Sequence, residues 1–195
     1  MAKLYFYYGA MGSGKSLALM QMAHNYEVEG FKVYIIKPRV DTKGDSTIVS
    51  RIGLSKEVDW VLGEEEQIYS KKEILTDKVN CILVDEAQFL KEKQVLELWK
   101  ISKEYDIPVV CYGLKTNFKG KFFEGSKALM EVADALDELS TVCVCGNKAH
   151  FNARKVDGEF TNEGEEIIID GTHQVEYNAL CGKCYIEKVL KKIKK

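Results

Sequence analysis

Only two prolines interrupt the 195 residues, and the 15 glycines are scattered. No low-complexity tract, internal repeat or flexible linker divides the chain. No stretch approaches the roughly 18 apolar residues that a membrane-spanning helix needs. The opening run Met1-Ala2-Lys3-Leu4-Tyr5-Phe6-Tyr7-Tyr8 is too short for a signal peptide and breaks at once into glycine-rich sequence. A soluble, cytoplasmic protein with no membrane partner is therefore expected. Neither sign of charge is in large excess. The 28 basic and 30 acidic side chains leave a formal charge of −2, so whole-chain electrostatics give no general attraction to nucleic acid, and any anion must be met by a local site. What is present is 46% hydrophobic and 10% aromatic sequence, enough for one main core and a small appendage.

In the first half, short β-rich runs alternate with longer amphipathic ones: Leu4–Tyr8, Ser16–Val28, Val33–Ile36, Cys81–Val84, Val95–Tyr105 and Val109–Cys111. The pattern predicts an α/β fold, a mainly parallel sheet with helices on both faces. Cys81-Ile82-Leu83-Val84 and Val109-Val110-Cys111-Tyr112 lack polar alternation, as central strands covered on both sides do. Between them a crossover helix places Val95, Leu98, Trp99 and Ser102 on one side and stops near Ile107-Pro108, where the residue before proline disfavours helix. From about Thr141 the character changes, with cysteine pairs, more glycine, and an Asp157-Gly158 turn expected to fold Phe151–Val156 into a hairpin. The boundaries drawn are 1–141 for a nucleotide-binding domain and 142–195 for a small second one. Lys188, Lys191, Lys192, Lys194 and Lys195 around Val189, Leu190 and Ile193 read as the solvated face of a terminal helix.

Gly9-Ala10-Met11-Gly12-Ser13-Gly14-Lys15-Ser16 satisfies every position of the P-loop pattern, between a strand-like and a helix-like run. The glycines let the backbone approach phosphate oxygens, the helix start adds unpaired N–H groups, Lys15 neutralises the β/γ phosphates of ATP, and Ser16 supplies a Mg²⁺ ligand. Cys81–Val84 runs into Asp85-Glu86, placing two acids at the carboxyl edge of the sheet, where open α/β sheets bind ligands. Asp85 reads as the Mg²⁺ partner and Glu86 as a base towards whatever attacks the γ-phosphate. Thr42-Lys43-Gly44-Asp45 imitates a guanine-reading motif but precedes Asp85 rather than following it, so a charged, glycine-containing loop is the better account.

Cys143-Val144-Cys145 and Cys181-Gly182-Lys183-Cys184 are two close pairs, and in a reducing compartment such pairs hold metal more often than they form disulfides. Four thiolates suit a closed, structural Zn²⁺ site; buried or redox-active thiols are the other reading, since one residue between the first two cysteines is a tight spacing. Cys81 and Cys111, inside apolar runs, read as packing residues. His24, His150 and His173 are isolated and are assigned no chemistry.

The order of P-loop, Asp85-Glu86-Ala87-Gln88-Phe89, a later aromatic loop and paired cysteines resembles the type II thymidine kinases over nearly the whole chain, with Tyr177-Asn178-Ala179-Leu180-Cys181 among the most specific parts. The resemblance implies phosphoryl transfer from ATP to the 5′-hydroxyl of thymidine, and of deoxyuridine, in pyrimidine deoxynucleoside salvage. It makes Glu86 the catalytic base, extends the ATP site to Asp85, Glu86, Ala87 and Gln88, and makes Met11, Phe118, Phe123 and Tyr177 thymidine contacts, Tyr177 within a closing loop, Ile169–Ala179, anchored by the zinc. It further implies a homotetramer and feedback inhibition by thymidine triphosphate. Lys43 stands where many members carry arginine after the aspartate matching Asp41, and Arg154 matches a family arginine. Two other functions share parts of this pattern. A nucleic-acid-stimulated ATPase would share the Asp-Glu-Ala-Gln run, but it needs a second lobe and a basic track. A zinc-stabilised nucleotide sensor would show no turnover.

Overall fold

In the computed structural model, which describes residues 1–39, 46–76, 78–164 and 174–191, the apolar runs are strands of a single parallel sheet. In chain order the first part comprises β1 (Leu4–Tyr8), α1 (Lys15–Val28), β2 (Val33–Pro38), the hairpin strands β3 (Thr47–Val49) and β4 (Ser55–Glu57), β5 (Trp60–Leu62), α2 (Lys72–Thr76), β6 (Cys81–Val84), α3 (Glu92–Glu104), β7 (Val109–Gly113), α4 (Glu124–Val132) and β8 (Ala135–Glu138). Six of the strands pair in the order β5-β2-β6-β7-β1-β8, and all five pairings are parallel.

The unalternating apolar strands are explained by what covers them. Leu4, Phe6, Ile82, Val84, Val109 and Cys111 pack on one face with Val95, Leu98 and Ile101 of α3 and Leu129 of α4. Val33, Ile35, Cys81, Leu83, Val110 and Tyr112 point the other way, onto Leu19, Met20 and Ala23 of α1. Every central residue is buried because each face meets a helix. The α3 stripe is shifted from the sequence reading: Gln94, Val95, Leu98, Ile101 and Ser102 are buried, while Trp99 is only half-buried at the margin of the core. The helix ends before Asp106, whose φ of 54° breaks the winding ahead of Pro108.

The second part contains β9 (Thr141–Val142), β10 (Lys148–Ala149), β11 (Phe151–Val156), β12 (Glu159–Thr161), β13 (Val175–Leu180) and α5 (Gly182–Tyr185), which runs on into a wide helical turn, Ile186–Leu190. Asp157 and Gly158, with φ of 49° and 84°, make the expected turn: β11 pairs antiparallel with β12, and on its other side with β13. Cys143, Ala149, Ala153, Leu180, Cys181, Cys184, Tyr185 and Val189 form a small core of their own. Val189 is fully buried, so the terminal lysine-rich segment is anchored at least through that residue; Lys192, Ile193, Lys194 and Lys195 lie outside the described residues. No helix among the described residues is long and apolar enough to cross a membrane.

Candidate functional site: a phosphate loop facing a strand-end acid pair

β1 and β6 are separated in the sheet only by β7, so the loop after β1 and the acids after β6 meet at one carboxyl edge. Gly12 and Gly14 take φ of 81° and 80°, a left-handed conformation that glycine adopts without steric cost and that wraps the loop. Lys15 Nζ donates to the carbonyls of Ala10 (2.9 Å) and Gly9 (3.3 Å) and to Ser13 Oγ (3.2 Å), bracing the loop from inside. Burial is the main cause that lowers the Lys15 proton affinity, opposed by the charges of Glu86 and Asp85 and assisted by that of Arg51. Ser16 Oγ donates to Asp85 Oδ2 at 3.1 Å. The hydroxyl and carboxylate expected to hold a divalent cation thus already stand together, and this hard oxygen pair fits Mg²⁺.

Asp85 is 4% exposed. Burial, with the neighbouring Glu86 charge second, pushes its carboxyl up to about 6, although Ser16 and Lys37 pull the other way. Because the folded value exceeds the unfolded one, this group opposes folding in full above about pH 6, and the opposition disappears as pH falls towards about 4. Asp85→Asn is accordingly expected to raise the Tm of the nucleotide-free protein at pH 7 by about 2–12 °C, corresponding to roughly 1–3 kcal/mol, and to leave it nearly unchanged at pH 4. Thermal unfolding of both proteins at the two pH values is the check, and an equal or lower Tm for the variant at pH 7 would refute the account.

Glu86 sits in the left-handed region, φ 49° and ψ 37°, a conformation uncommon for a non-glycine residue and frequent at working sites. It lines the same cavity, about 260 Å³, as Met11, Lys15, Ser16 and Leu114. Gln88, 1% exposed, holds it there: Nε2 donates to Glu86 Oε2 and Oε1 accepts from Leu114 N–H at 3.0 Å. The Gln88 side chain is therefore a strut between the acid and the end of β7, and the Ala87 side chain lies in the main core. Gly125 keeps this turn close to α4, since a Cβ there would come within 2.5 Å of the Ala87 carbonyl oxygen.

The aromatic loop after β7 is gripped by the C-terminal part. Asn152, 3% exposed, accepts from Met11 N–H at 2.8 Å and donates to the Thr116 carbonyl at 2.8 Å. Tyr185 Oη donates to the Phe118 carbonyl at 2.6 Å, and the Arg154 guanidinium lies 3.7 Å from the centre of the Phe118 ring. Phe118 is 2% exposed, with that one face committed to Arg154. Phe123 is half-buried and meets Phe89 edge-on at 5.5 Å, while Tyr177 is half-buried on β13, opposite Arg154 in register. The structure thus brings Met11, Phe118 and Arg154 into one neighbourhood through Asn152, which sequence reasoning missed. An isolated asparagine between strand residues carries no signal of a contact across 141 positions. Asp41, the Thr42–Asp45 motif with Lys43, and Ile169–His173 of the expected closing loop lie outside the described residues.

The sulfurs of Cys143, Cys145, Cys181 and Cys184 all lie within 4.8 Å of one another, and Cys145 Sγ is 3.5 Å from Cys181 Sγ. A tetrahedral Zn²⁺ with Zn–S bonds near 2.3 Å sets sulfurs about 3.8 Å apart, so the cluster fits that ion. None of the four is in a disulfide. Asn147 supports the exposed Cys145: its backbone N–H is the main cause that lowers the thiol to about 6, and Nδ2 approaches the sulfur at 3.3 Å. Cys81 and Cys111 are buried packing residues whose thiols burial pushes up. His24 is exposed, and His150 contacts Glu138 at 2.8 Å, away from the sulfurs.

Comparison with known proteins agrees with this geometry. A family model described as thymidine kinase matches residues 2–185. The thymidine kinase of Enterobacteria phage T4 is 44% identical over 192 residues, covering 96% of this chain and 97% of that protein. The thymidine kinase of Legionella pneumophila (strain Paris) is 42% identical over 186 residues, covering 93% and 88%, and that of Haemophilus influenzae (strain ATCC 51907) is 41% identical over 192 residues, covering 96% and 98%. Among solved structures, Bacteroides Pif1 bound to ssDNA aligns with a TM-score of 0.39 at 16% identity, over 70% of this chain and 38% of that one, too distant to bear on fold or activity. With the family model spanning residues 2–185 and these relatives matched over 88–98% of their own length, the chain belongs to the thymidine kinase family.

Proposed function

We propose that this protein transfers the γ-phosphate of ATP to the 5′-hydroxyl of thymidine, and of deoxyuridine, producing the 5′-monophosphate in pyrimidine deoxynucleoside salvage in the cytoplasm. The observation that carries the reading is the confrontation of Glu86 with Lys15 and Ser16 across one cavity. The loop amides and Lys15 hold the triphosphate, and Ser16 and Asp85 hold Mg²⁺, which when bound neutralises charge on the β and γ phosphates. Glu86 accepts the proton of the 5′-hydroxyl as its oxygen bonds to the γ-phosphorus and the bond to the β-phosphate oxygen breaks, releasing ADP.

In this reading the nucleotide site runs from Gly9 to Ser16 and from Asp85 to Gln88, with Gln88 acting through the orientation it gives Glu86. Met11, which lines the cavity, and Phe118, Phe123 and Tyr177 are the thymidine contacts of this reading. Residues 1–141 form the nucleotide-binding domain and 142–195 a zinc-binding domain that carries the closing loop. Cys143, Cys145, Cys181 and Cys184 would hold Zn²⁺ with no position open to water, so the ion stabilises structure. Thymidine triphosphate, which offers the same base together with phosphates, is the expected feedback inhibitor, and the working assembly is a homotetramer.

The test is ATP consumption by the purified protein with Mg²⁺ and thymidine, other nucleosides or single-stranded DNA, with products identified. Thymidine monophosphate is the expected product. Turnover that depends on DNA and phosphorylates no nucleoside would replace this reading with an ATPase in which Glu86 activates water.

A further inference from the structure

The hairpin β3–β4 turns directly over the phosphate loop, and its tip carries a cation that the P-loop pattern does not contain. Arg51 lines the same cavity as Gly14, Lys15, Ser16 and Glu86. Its guanidinium rests against the loop so closely that a Cβ on Gly12 would come within 3.1 Å of Nη1. The tip is rigidly built. Ser50 N–H donates to the Leu54 carbonyl at 2.8 Å, Gly53 N–H to the Ser50 carbonyl at 3.0 Å, and Leu54 N–H to Ser50 Oγ at 3.0 Å. The strands are tied down as well, by Lys37 Nζ donating to the Thr47 carbonyl at 3.0 Å and by Lys56 pairing with Glu27 of α1 at 2.7 Å. Among the described residues no carboxylate pairs with Arg51, although Glu86 lines the same cavity. The Arg51 charge opposes that of Lys15. Two cations held against one glycine loop are mutually unfavourable until a polyanion lies between them.

We propose that Arg51 is a catalytic arginine supplied within the chain, which contacts the γ-phosphoryl group of ATP from the side opposite Lys15 and stabilises the charge on its oxygens during transfer. The planar guanidinium can meet two phosphate oxygens at once, which a point-charge lysine cannot, and arginines that reach transferring phosphoryl groups in other P-loop proteins act in this way. The proposal rests on the thymidine kinase reading for its acceptor but not for its phosphate contact.

Arg51→Ala and Arg51→Lys are compared with the unaltered protein by steady-state kinetics and by equilibrium binding of ADP and of a non-hydrolysable ATP analogue. Arg51→Ala is expected to lower kcat by about a hundredfold or more, to weaken the ATP analogue with little effect on ADP, and to leave the thymidine KM within about threefold. Arg51→Lys should restore the analogue affinity better than it restores kcat. Because the side chain is exposed, the Tm of both variants should be unchanged. Wild-type kcat and wild-type analogue binding in Arg51→Ala would overturn the assignment, as would equal losses for ADP and analogue. If the unaltered protein forms no thymidine monophosphate, the acceptor reading fails instead, while the binding comparison still decides whether Arg51 meets the γ-phosphate.

Discussion

Glu86→Gln is expected to lower kcat by about 10²–10⁴-fold while ATP and thymidine bind almost as before. Unusually for such a test, the geometry separates the loss of the base from a loss of shape. The acid is fixed by its left-handed backbone, φ 49°, and by Gln88 Nε2, which donates to it. A glutamine at this position still offers a carbonyl oxygen to Gln88, so the side chain keeps its place and loses only the ability to take a proton. Single-turnover formation of thymidine monophosphate, measured beside equilibrium ATP binding, reads the two effects independently. Turnover within about threefold of the unaltered enzyme would remove Glu86 from its role; a parallel collapse of ATP binding would make it a structural support of the phosphate loop.

The second large effect is at the far end of the chain. Replacing Cys181 and Cys184 by serine together is expected to abolish zinc binding and raise the thymidine KM on the order of tenfold or more, equivalent to at least about 1.4 kcal/mol of lost affinity. The reason is the grip on the aromatic loop. Cys181 caps α5, its sulfur facing Cys184 N–H at 3.5 Å. The same helix ends in Tyr185, which stacks on Phe151 at 4.8 Å and holds the Phe118 carbonyl. Since Cys143, Cys181 and Cys184 also belong to the small core, loss of the ion loosens everything that positions Phe118, Asn152 and Arg154. Metal content by mass spectrometry, thymidine KM and ATP affinity are the readouts. A zinc-free double variant with an unaltered thymidine KM would show that the nucleoside loop does not depend on the metal.

Much of the fold was legible because its signals are local. A strand buried on both faces shows as an unbroken apolar run, a left-handed turn as Asp157-Gly158, and the phosphate loop as glycines at fixed offsets with lysine and serine behind them. The elements not legible were those whose stability comes from a neighbour. β5 and β8 are the sheet edges: Trp60–Leu62 is only three residues long, and Ala135–Glu138 exposes Leu136 and carries two acids, so neither has a pattern that distinguishes it from a loop. The β3–β4 hairpin, three residues a side, depends on ties to β2 and α1 and was invisible for the same reason.

Local sequence prescribes the chemistry available to this protein: a backbone loop that can wrap phosphate, a lysine and serine behind it, two acids at the end of a buried strand, and four thiols in two pairs. These follow from covalent neighbours, and spacing alone prescribes them. How those groups are held depends on contacts made only in the folded chain. Parallel pairing of β1 and β6 on either side of β7 is what sets Asp85 beside Ser16 and Glu86 across from Lys15. Hydrogen bonds spanning the chain make Gln88 a strut for Glu86 and Asn152 a brace between Met11 and Thr116. Such roles belong to polar side chains that burial obliges to find partners, and the identity of the partner is fixed only when the chain has folded.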